Sequence, residues 1–568
     1  MHVVTTSRRS GDRVYTTTLL RRSYRQDGKV KKETLANLSH LPAEAVDAVR
    51  RIVRGEMLID AEDAFVIERS LPAGHVNAAL AMARRLGLSR LLDREQCRER
   101  DLCVAMILGR VICPGSKLAM VRSLGQSTLA EELDVGDAGE DDLYAAMDWL
   151  CERQGRIEDL LARRHLADGQ LVLYDVSSSY FEGRACPLAR LGYSRDGKRG
   201  TPQIIYGLLC DTAGRPVAVE VFSGQLHDDK TLPSQVSKLK TRFGLKRICV
   251  VSDRGMVTQA NIDLLRGTEG VQWITALKAP TIKKLARTGV LQLSLFDEQN
   301  LAEITSDDFP GERLIVCRNP LVAAERARKR DELLTATEHE LAQIAIRVHN
   351  GTLSGADQIG LAVGPAVKHY KMKKHFTLQI TDSTFTYQRK TKQITAEAAL
   401  DGIYILRTSL TAAAMATGDV VRAYKNLEQV ETAFGSFKGP DLQIRPIHHH
   451  LETRVRAHVL ICMLAYYLTW HLKAAWTPLL FCDEHPPVNP DPVAKAVRST
   501  SAHTKAQTKR TTTGQTCHSY HTLLAELATQ TRNTIRPAGA TSTFTKLAQP
   551  TDLQARALDL AEHAPVTT

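Results

Sequence analysis

Two short apolar runs, each closing on an aspartate, constrain this chain more than any other feature. Leu171-Val172-Leu173-Tyr174 leads into Asp175, and Ile248-Cys249-Val250-Val251-Ser252 leads into Asp253. Unbroken runs of this length, without polar alternation, are what strands buried on both faces look like. They require a sheet covered on each side and predict an α/β unit that begins near residue 169. Residues 204–210 and 216–222 read as two further strands, with 211–214 as the turn between them. A carboxylate at the carboxyl end of a strand stands on the rim of a sheet, where irregular backbone leaves room for a ligand.

The rest of the chain divides around that unit. Residues 1–42 read as a basic β-hairpin with Asp27-Gly28 at its turn. Arg21, Arg22, Arg25, Lys29, Lys31 and Lys32 suit contacts to phosphates there, and a solvated hairpin face accounts for them equally well. From 43 to 168 the apolar period turns helical: Val76, Leu80, Ala83 and Leu86 recur at threes and fours, as do Val104, Leu108 and Val111 before Pro114-Gly115. This helical stretch is the expected DNA-binding domain by its position, although no recognition helix stands out. A charged helix is expected over 322–349, a strand pair over 375–392, a strand at 403–407, and helices over 419–438 and 451–476. The tail from 477 to 568 is expected to hold a flexible linker at 499–516 and a short helix at 520–533.

Composition narrows the partners. The chain has 568 residues, too many for one ordinary core, and 75 Lys and Arg against 63 Asp and Glu give a net charge of +12. Such a surplus suits a polyanion, because each neutralised phosphate releases condensed counterions. Eleven cysteines occur without a single C-x-x-C pair, which argues against structural zinc and fits a reducing compartment. No apolar run is long enough to span a bilayer, and the first residues lack a signal-like apolar stretch. A soluble, cytoplasmic protein without a membrane partner is expected.

A third carboxylate joins the two aspartates. Tyr424, Glu431 and Lys438 are spaced by seven, and seven residues at 100° return to within about 20° of the start. On one helix they form a stripe with Glu431 at its centre, beside a packing face of Leu427, Val430, Phe434 and Phe437. Three carboxylates are a hard oxygen donor set of the kind that takes Mg²⁺ or Mn²⁺. Two such ions about 3.5–4 Å apart support in-line phosphoryl displacement.

At this point the chain resembles the DDE transposases of bacterial insertion sequences, in the insertion-sequence-four-like group whose members carry a β-rich insertion before the final Glu. The resemblance rests on Tyr174-Asp175-Val176-Ser177-Ser178-Ser179-Tyr180-Phe181-Glu182, on Val251-Ser252-Asp253-Arg254-Gly255-Met256, and on a Tyr-x2-Arg-x3-Glu-x6-Lys signature around Glu431. Segments 37–42, 114–119, 224–232 and 445–448 add support in the expected order. The signature's Arg is replaced by Leu427, with Lys425 or Arg422 as candidate substitutes.

The resemblance implies an α/β chain with a ribonuclease-H-like core formed by 169–272 and 400–476. Residues 273–399 would be the β-rich insertion. It implies Asp175, Asp253 and Glu431 as catalytic residues and ligands of two Mg²⁺ or Mn²⁺ ions, with Tyr424, Lys438 and Arg254 on DNA phosphates. It further implies strand cleavage at element ends, strand transfer into double-stranded target DNA, and a homodimer on DNA in the bacterial nucleoid. A metal-dependent nuclease on the same fold and a catalytically silent DNA-binding derivative are the alternatives.

Other polar clusters compete less well. His448-His449-His450 resembles a metal tract, yet consecutive side chains point apart. Asp228 and Asp229 compete with Asp253, and Glu428 with Glu431. Ser177-Ser178-Ser179 has no paired His or glycine elbow, and Trp273 fits core packing better than base stacking.

Overall fold

The computed structural model describes residues 1–56, 63–292, 296 and 300–565, which fall into two compact units. The first unit takes 1–72 together with 530–549. Strands β1 (His2–Ser10), β2 (Arg13–Gln26) and β3 (Lys29–Asn37) form an antiparallel meander, so the expected hairpin carries one more strand. Asp27 and Gly28 both hold positive φ, 54° and 75°, the pairing that a two-residue hairpin turn requires. Helix Ala43–Val53 is joined to the meander by Arg50 Nη2, which donates to Thr5 Oγ1 at 2.9 Å. A second sheet of the unit pairs β4 (Phe65–Pro72) with strand Thr531–Pro537, which pairs in turn with Phe544–Leu547.

The second unit is organised by an eight-stranded mixed sheet. Its chain-order strands are β5 (Leu171–Tyr180), β6 (Gln203–Cys210), β7 (Pro216–Ser223), β8 (Ile248–Ser252), β9 (Val271–Ala276), β10 (Leu301–Ile304), β11 (Arg313–Arg318) and β14 (Ile403–Thr408). Across the sheet the order is β10-β11-β14-β9-β8-β5-β6-β7. β5, β6 and β7 form an antiparallel meander, whereas β8 and β9 run parallel to β5 on its other side. Every residue of β6 and β8 is buried, as the apolar runs require. Gly207 of β6 leaves space for the Tyr174 ring, with which any Cβ there would collide.

Helices cover this sheet. Helix Glu452–Ala475 is buried along nearly all its length and packs on β7 and on helices Arg98–Ile112 and Glu140–His165. Helix Leu427–Lys438 lies on β5 and fixes its apolar side through Phe437, whose ring meets Tyr206, Phe434 and Tyr466. Among the described residues no single helix is long and apolar enough to cross a membrane.

Three expectations need correction, the first being the helix over 520–533, which ends at Ala528 and is followed by strand Thr531–Pro537. The stretch 273–399 is mostly helical rather than β-rich, with helices Pro320–His349, Ala356–His369 and Thr391–Ala398 around one small hairpin, β12 (Phe376–Ile380) and β13 (Phe385–Arg389). Its remaining strands, β10 and β11, add to the central sheet instead of forming a separate one. These helices and the hairpin bury Leu334, Leu341, Ile359, Phe376 and Phe385 in a core of their own. Within 499–516, Thr500–Thr508 is helical, because Ser499 caps Ala502 N–H at 3.1 Å and the buried Lys505 ammonium reaches Glu484 at 2.7 Å.

Phe437→Ala should lower the stability of the second unit by about 3–5 kcal/mol, read as a lower urea midpoint by circular dichroism. An unchanged midpoint would show that this ring does not anchor the helix bearing Glu431.

Candidate active site

Asp175 and Asp253 reach one rim because β5 and β8 run parallel. Their ladder ends with Tyr174 opposite Ser252, so the next residue on each strand is an aspartate. β5 does not end at Asp175, as its apolar run suggests. It continues to Tyr180 along β6, and what stops is the neighbour: β8 turns away, with Met256 N–H donating to the Asp253 carbonyl at 3.1 Å. Asp175 therefore sits where one ladder stops and the other continues.

Both aspartates are half-buried, and Asp175 Oδ1 accepts the N–H of Val176 at 2.8 Å. Burial raises the Asp175 pKa to about 7, and the charges of Asp253 and Glu431 push the same way against the Val176 hydrogen bond and Arg195. Glu431 is exposed on helix Leu427–Lys438, and partial desolvation, then the charges of Asp253 and Glu428, raise its pKa. The three carboxylates share one electrostatic field. Among the described residues, no three His, Cys, Asp or Glu side chains are gathered closely enough to chelate an ion.

The Tyr424–Glu431–Lys438 stripe does not lie on one helix. Tyr424 belongs to helix Thr417–Lys425, Glu431 and Lys438 to helix Leu427–Lys438, and Asn426 is the junction. There Gln429 N–H reaches back three residues to the Asn426 carbonyl, a tighter turn than α. The junction is fixed on both sides. Lys425 Nζ donates to the carbonyls of Val493 and Ala494 at 2.9 and 2.7 Å, and Leu427 is buried. Tyr424 still meets the rim: its hydroxyl donates to Asp253 Oδ1 at 3.5 Å, a long hydrogen bond.

The expected phosphate contacts separate. Arg254 is exposed and has no ion pair among the described residues. Lys438 is held at 3.0 Å by Asp196, whose carboxylate is 1% exposed and also binds Arg445. Neither candidate substitute for the signature Arg faces the rim freely, since Lys425 is engaged as above and Arg422 pairs with Asp419 at 2.8 Å.

Sequence reading missed Arg195 and Asp196. Both lie in the loop between β5 and β6, where no period marks them. Asp196 accepts the N–H of Tyr180 at 3.0 Å and so ties this loop to the end of β5. Arg195 pairs with Asp228 and is the cation that partly offsets Asp175. A Cβ on Gly255 would lie 3.6 Å from Asp228 Oδ2 and 3.7 Å from Asp253 Oδ2, so Asp228 borders the same rim.

The other candidates find structural places. Ser179 pairs with the Tyr206 hydroxyl at 2.9 Å, Trp273 is buried in β9, and Asp229 offers its carbonyl to Asn261 at 2.7 Å. Glu428 is exposed one turn from Glu431, and His448, His449 and His450 line a different cleft.

The donor atoms on this rim are carboxylate oxygens, the kind that hard divalent cations take.

Comparison with known proteins gives a transposase match at the amino-terminal end. Residues 3–62 match the family model described as the IS1634 family transposase, N-terminal domain. That segment is of the insertion-sequence transposase kind, in line with the resemblance read from the motifs. No curated protein matches. Among solved structures, a piggyBac transposase synaptic complex with hairpin DNA, determined by cryo-electron microscopy, aligns at 9% identity with a TM-score of 0.35. The alignment covers 80% of this chain and 76% of that one.

Asp175 makes metal-free stability depend on pH. The folded chain holds this proton up to about pH 7, whereas an unfolded aspartate releases it near ~3.9. Its stabilising contribution is full below the unfolded value and is lost as pH rises to about 7. In EDTA, Asp175→Asn should gain urea resistance over the parent across that window and hold the gain at higher pH. A difference that does not change with pH would contradict this.

Proposed function

We propose that this chain is a DDE transposase that cuts DNA at insertion-sequence ends and transfers the strands to target DNA. The observation that carries the reading is the meeting of Asp175, Asp253 and Glu431 in one field at the carboxyl end of the β5–β8 ladder. The β5–β6–β7 meander with β8 and β9 parallel on the other side of β5 supports a ribonuclease-H-like core. The transposase match over 3–62 supplies independent support at the other end of the chain.

Asp175, Asp253 and Glu431 are the residues that would hold divalent ions, and Mg²⁺ or Mn²⁺ there would supply positive charge for a phosphoryl displacement. The chain's own groups position the reaction. Rigid strand pairing holds the two aspartates at fixed separation, so little reorganisation is left for the reacting complex. The Tyr424 hydroxyl orients Asp253, and Arg254 is free to meet a phosphate oxygen. Lys438 acts through Asp196: the pair, with Arg445, braces the loop that carries Arg195. Paired-end cleavage requires two ends to be held at once, which supports a homodimer on double-stranded DNA as the working form.

Purified protein with Mg²⁺ or Mn²⁺ and duplexes carrying element ends should nick the end and join it to a target plasmid. Asp253→Asn and Glu431→Gln should each cut roughly 100-fold more slowly or worse, while gel shifts show the same DNA affinity as the parent. Equal cutting by both variants would reject the site. Cutting without joining would favour a nuclease, and binding without cutting in the parent would favour a silent DNA-binding protein.

A further inference from the structure

A second cleft, of about 570 Å³, opens between helices Arg98–Ile112 and Glu140–His165, residues 115–118 and the segment 443–451. Two cations at its wall are almost fully buried: Arg110 and Lys117 are each 5% exposed. Neither has a carboxylate partner among the described residues. Arg110 Nη1 donates only to the carbonyl oxygens of Leu442 and Gln443, at 3.3 and 3.5 Å. Lys117 Nζ has one hydrogen-bond partner among the described residues, His458 Nδ1 at 3.5 Å. His458 donates its other ring nitrogen to the Ile444 carbonyl at 2.9 Å, which leaves Nδ1 as the acceptor and the ring neutral.

Against these two cations, one acid lines the cleft. Glu140 accepts the Tyr144 hydroxyl at 2.7 Å. Arg454 has its own partner in Asp148 at 3.2 Å, and Arg445 has Asp196. What is left unbalanced is positive charge, buried and turned toward an opening. Burial and the neighbouring Arg110 charge push the Lys117 pKa down to about 7. A buried ammonium without a counter-ion is costly, and proteins keep such groups where a ligand supplies the missing charge.

We infer that this cleft binds one phosphate group, with Lys117 and Arg110 as the cations that receive it. It shares no residue with Asp175, Asp253 and Glu431 and does not depend on their reading. Three ammonium protons and the guanidinium fork suit a tetrahedral dianion or a phosphodiester. A free phosphate compound and the backbone of a bound DNA strand offer the same chemistry.

The test is Lys117→Met in the full chain, a change close in volume that removes the buried charge. Without ligand, the variant should stay folded and melt at or above the parent temperature. Inorganic phosphate, against chloride at equal ionic strength, should raise the melting temperature of the parent and not of the variant, and Lys117→Arg should recover part of the shift. With duplex DNA as the second probe, a salt dependence of log K lowered by about one places a backbone phosphate in the cleft. A lost phosphate shift with unchanged DNA affinity assigns the site to a free phosphate compound. An equal phosphate shift in parent and variant overturns the inference. So does a ligand-free variant that melts well below the parent, because Lys117 would then be a structural partner of His458. Cutting by Asp253→Asn reports on the carboxylate rim alone.

Discussion

The parallel pairing of β5 with β8 is the constraint on which the candidate site depends. Four residue pairs, from Leu171–Cys249 to Tyr174–Ser252, hold the strands side by side before β8 turns out of the sheet. The aspartates that follow the last pair are held side by side by this ladder, with β8 buried along its whole length and β5 also paired to β6 on its other edge. Everything else at the rim adapts to this pair. Helix Leu427–Lys438 brings Glu431 from a distant part of the sequence; it lies on β5, with Phe434 and Phe437 against Tyr206 of β6. The carboxylates therefore approach through packing, and the raised proton affinity of Asp175 comes first from its burial and then from the charges of Asp253 and Glu431.

Residues 442–450 run between the far end of β5 and the cleft that holds Arg110 and Lys117. Ile447 bridges to Phe181 just beyond β5, and Arg445 reaches from the cleft to Asp196. Asp196 thus collects Lys438 from the Glu431 helix, Arg445 from this segment and the backbone of Tyr180 from the sheet. One buried carboxylate joins three parts of the chain, and such a group is far costlier to leave unpaired than to replace outright.

The sheet strands were legible because burial on both faces leaves an unbroken apolar run, as in β6 and β8. The length of β5 was not, since Asp175 and the serines 177–179 interrupt the apolar run while the backbone pairing with β6 carries on. The heptad spacing of Tyr424, Glu431 and Lys438 implied one straight helix, whereas two helices meet at Asn426. The turn at Asn426 depends on the distant carbonyls of Val493 and Ala494, which no local period encodes. Arg195 and Asp196 were illegible for the same reason: their roles come from Asp228, Lys438 and Arg445, all remote in sequence. In 273–399, short strands that lean on β14 carried less pattern than the hairpin β12–β13, and the helices around it were under-read.

The second sheet of the first unit has a consequence in time. β4 is made early, but its partner is strand Thr531–Pro537. A growing chain must therefore carry β4 with an open edge while the whole central sheet is being synthesised, on the order of half a minute or more at ordinary elongation rates. The exposed Phe65, Val66 and Ile67 on that strand are an invitation to wrong partners during this interval. Completion of the unit is thus a report that the message has been read nearly to residue 550. A chain that stops short leaves this sheet unpaired and exposed to proteolysis, so the fold itself discriminates against truncated copies.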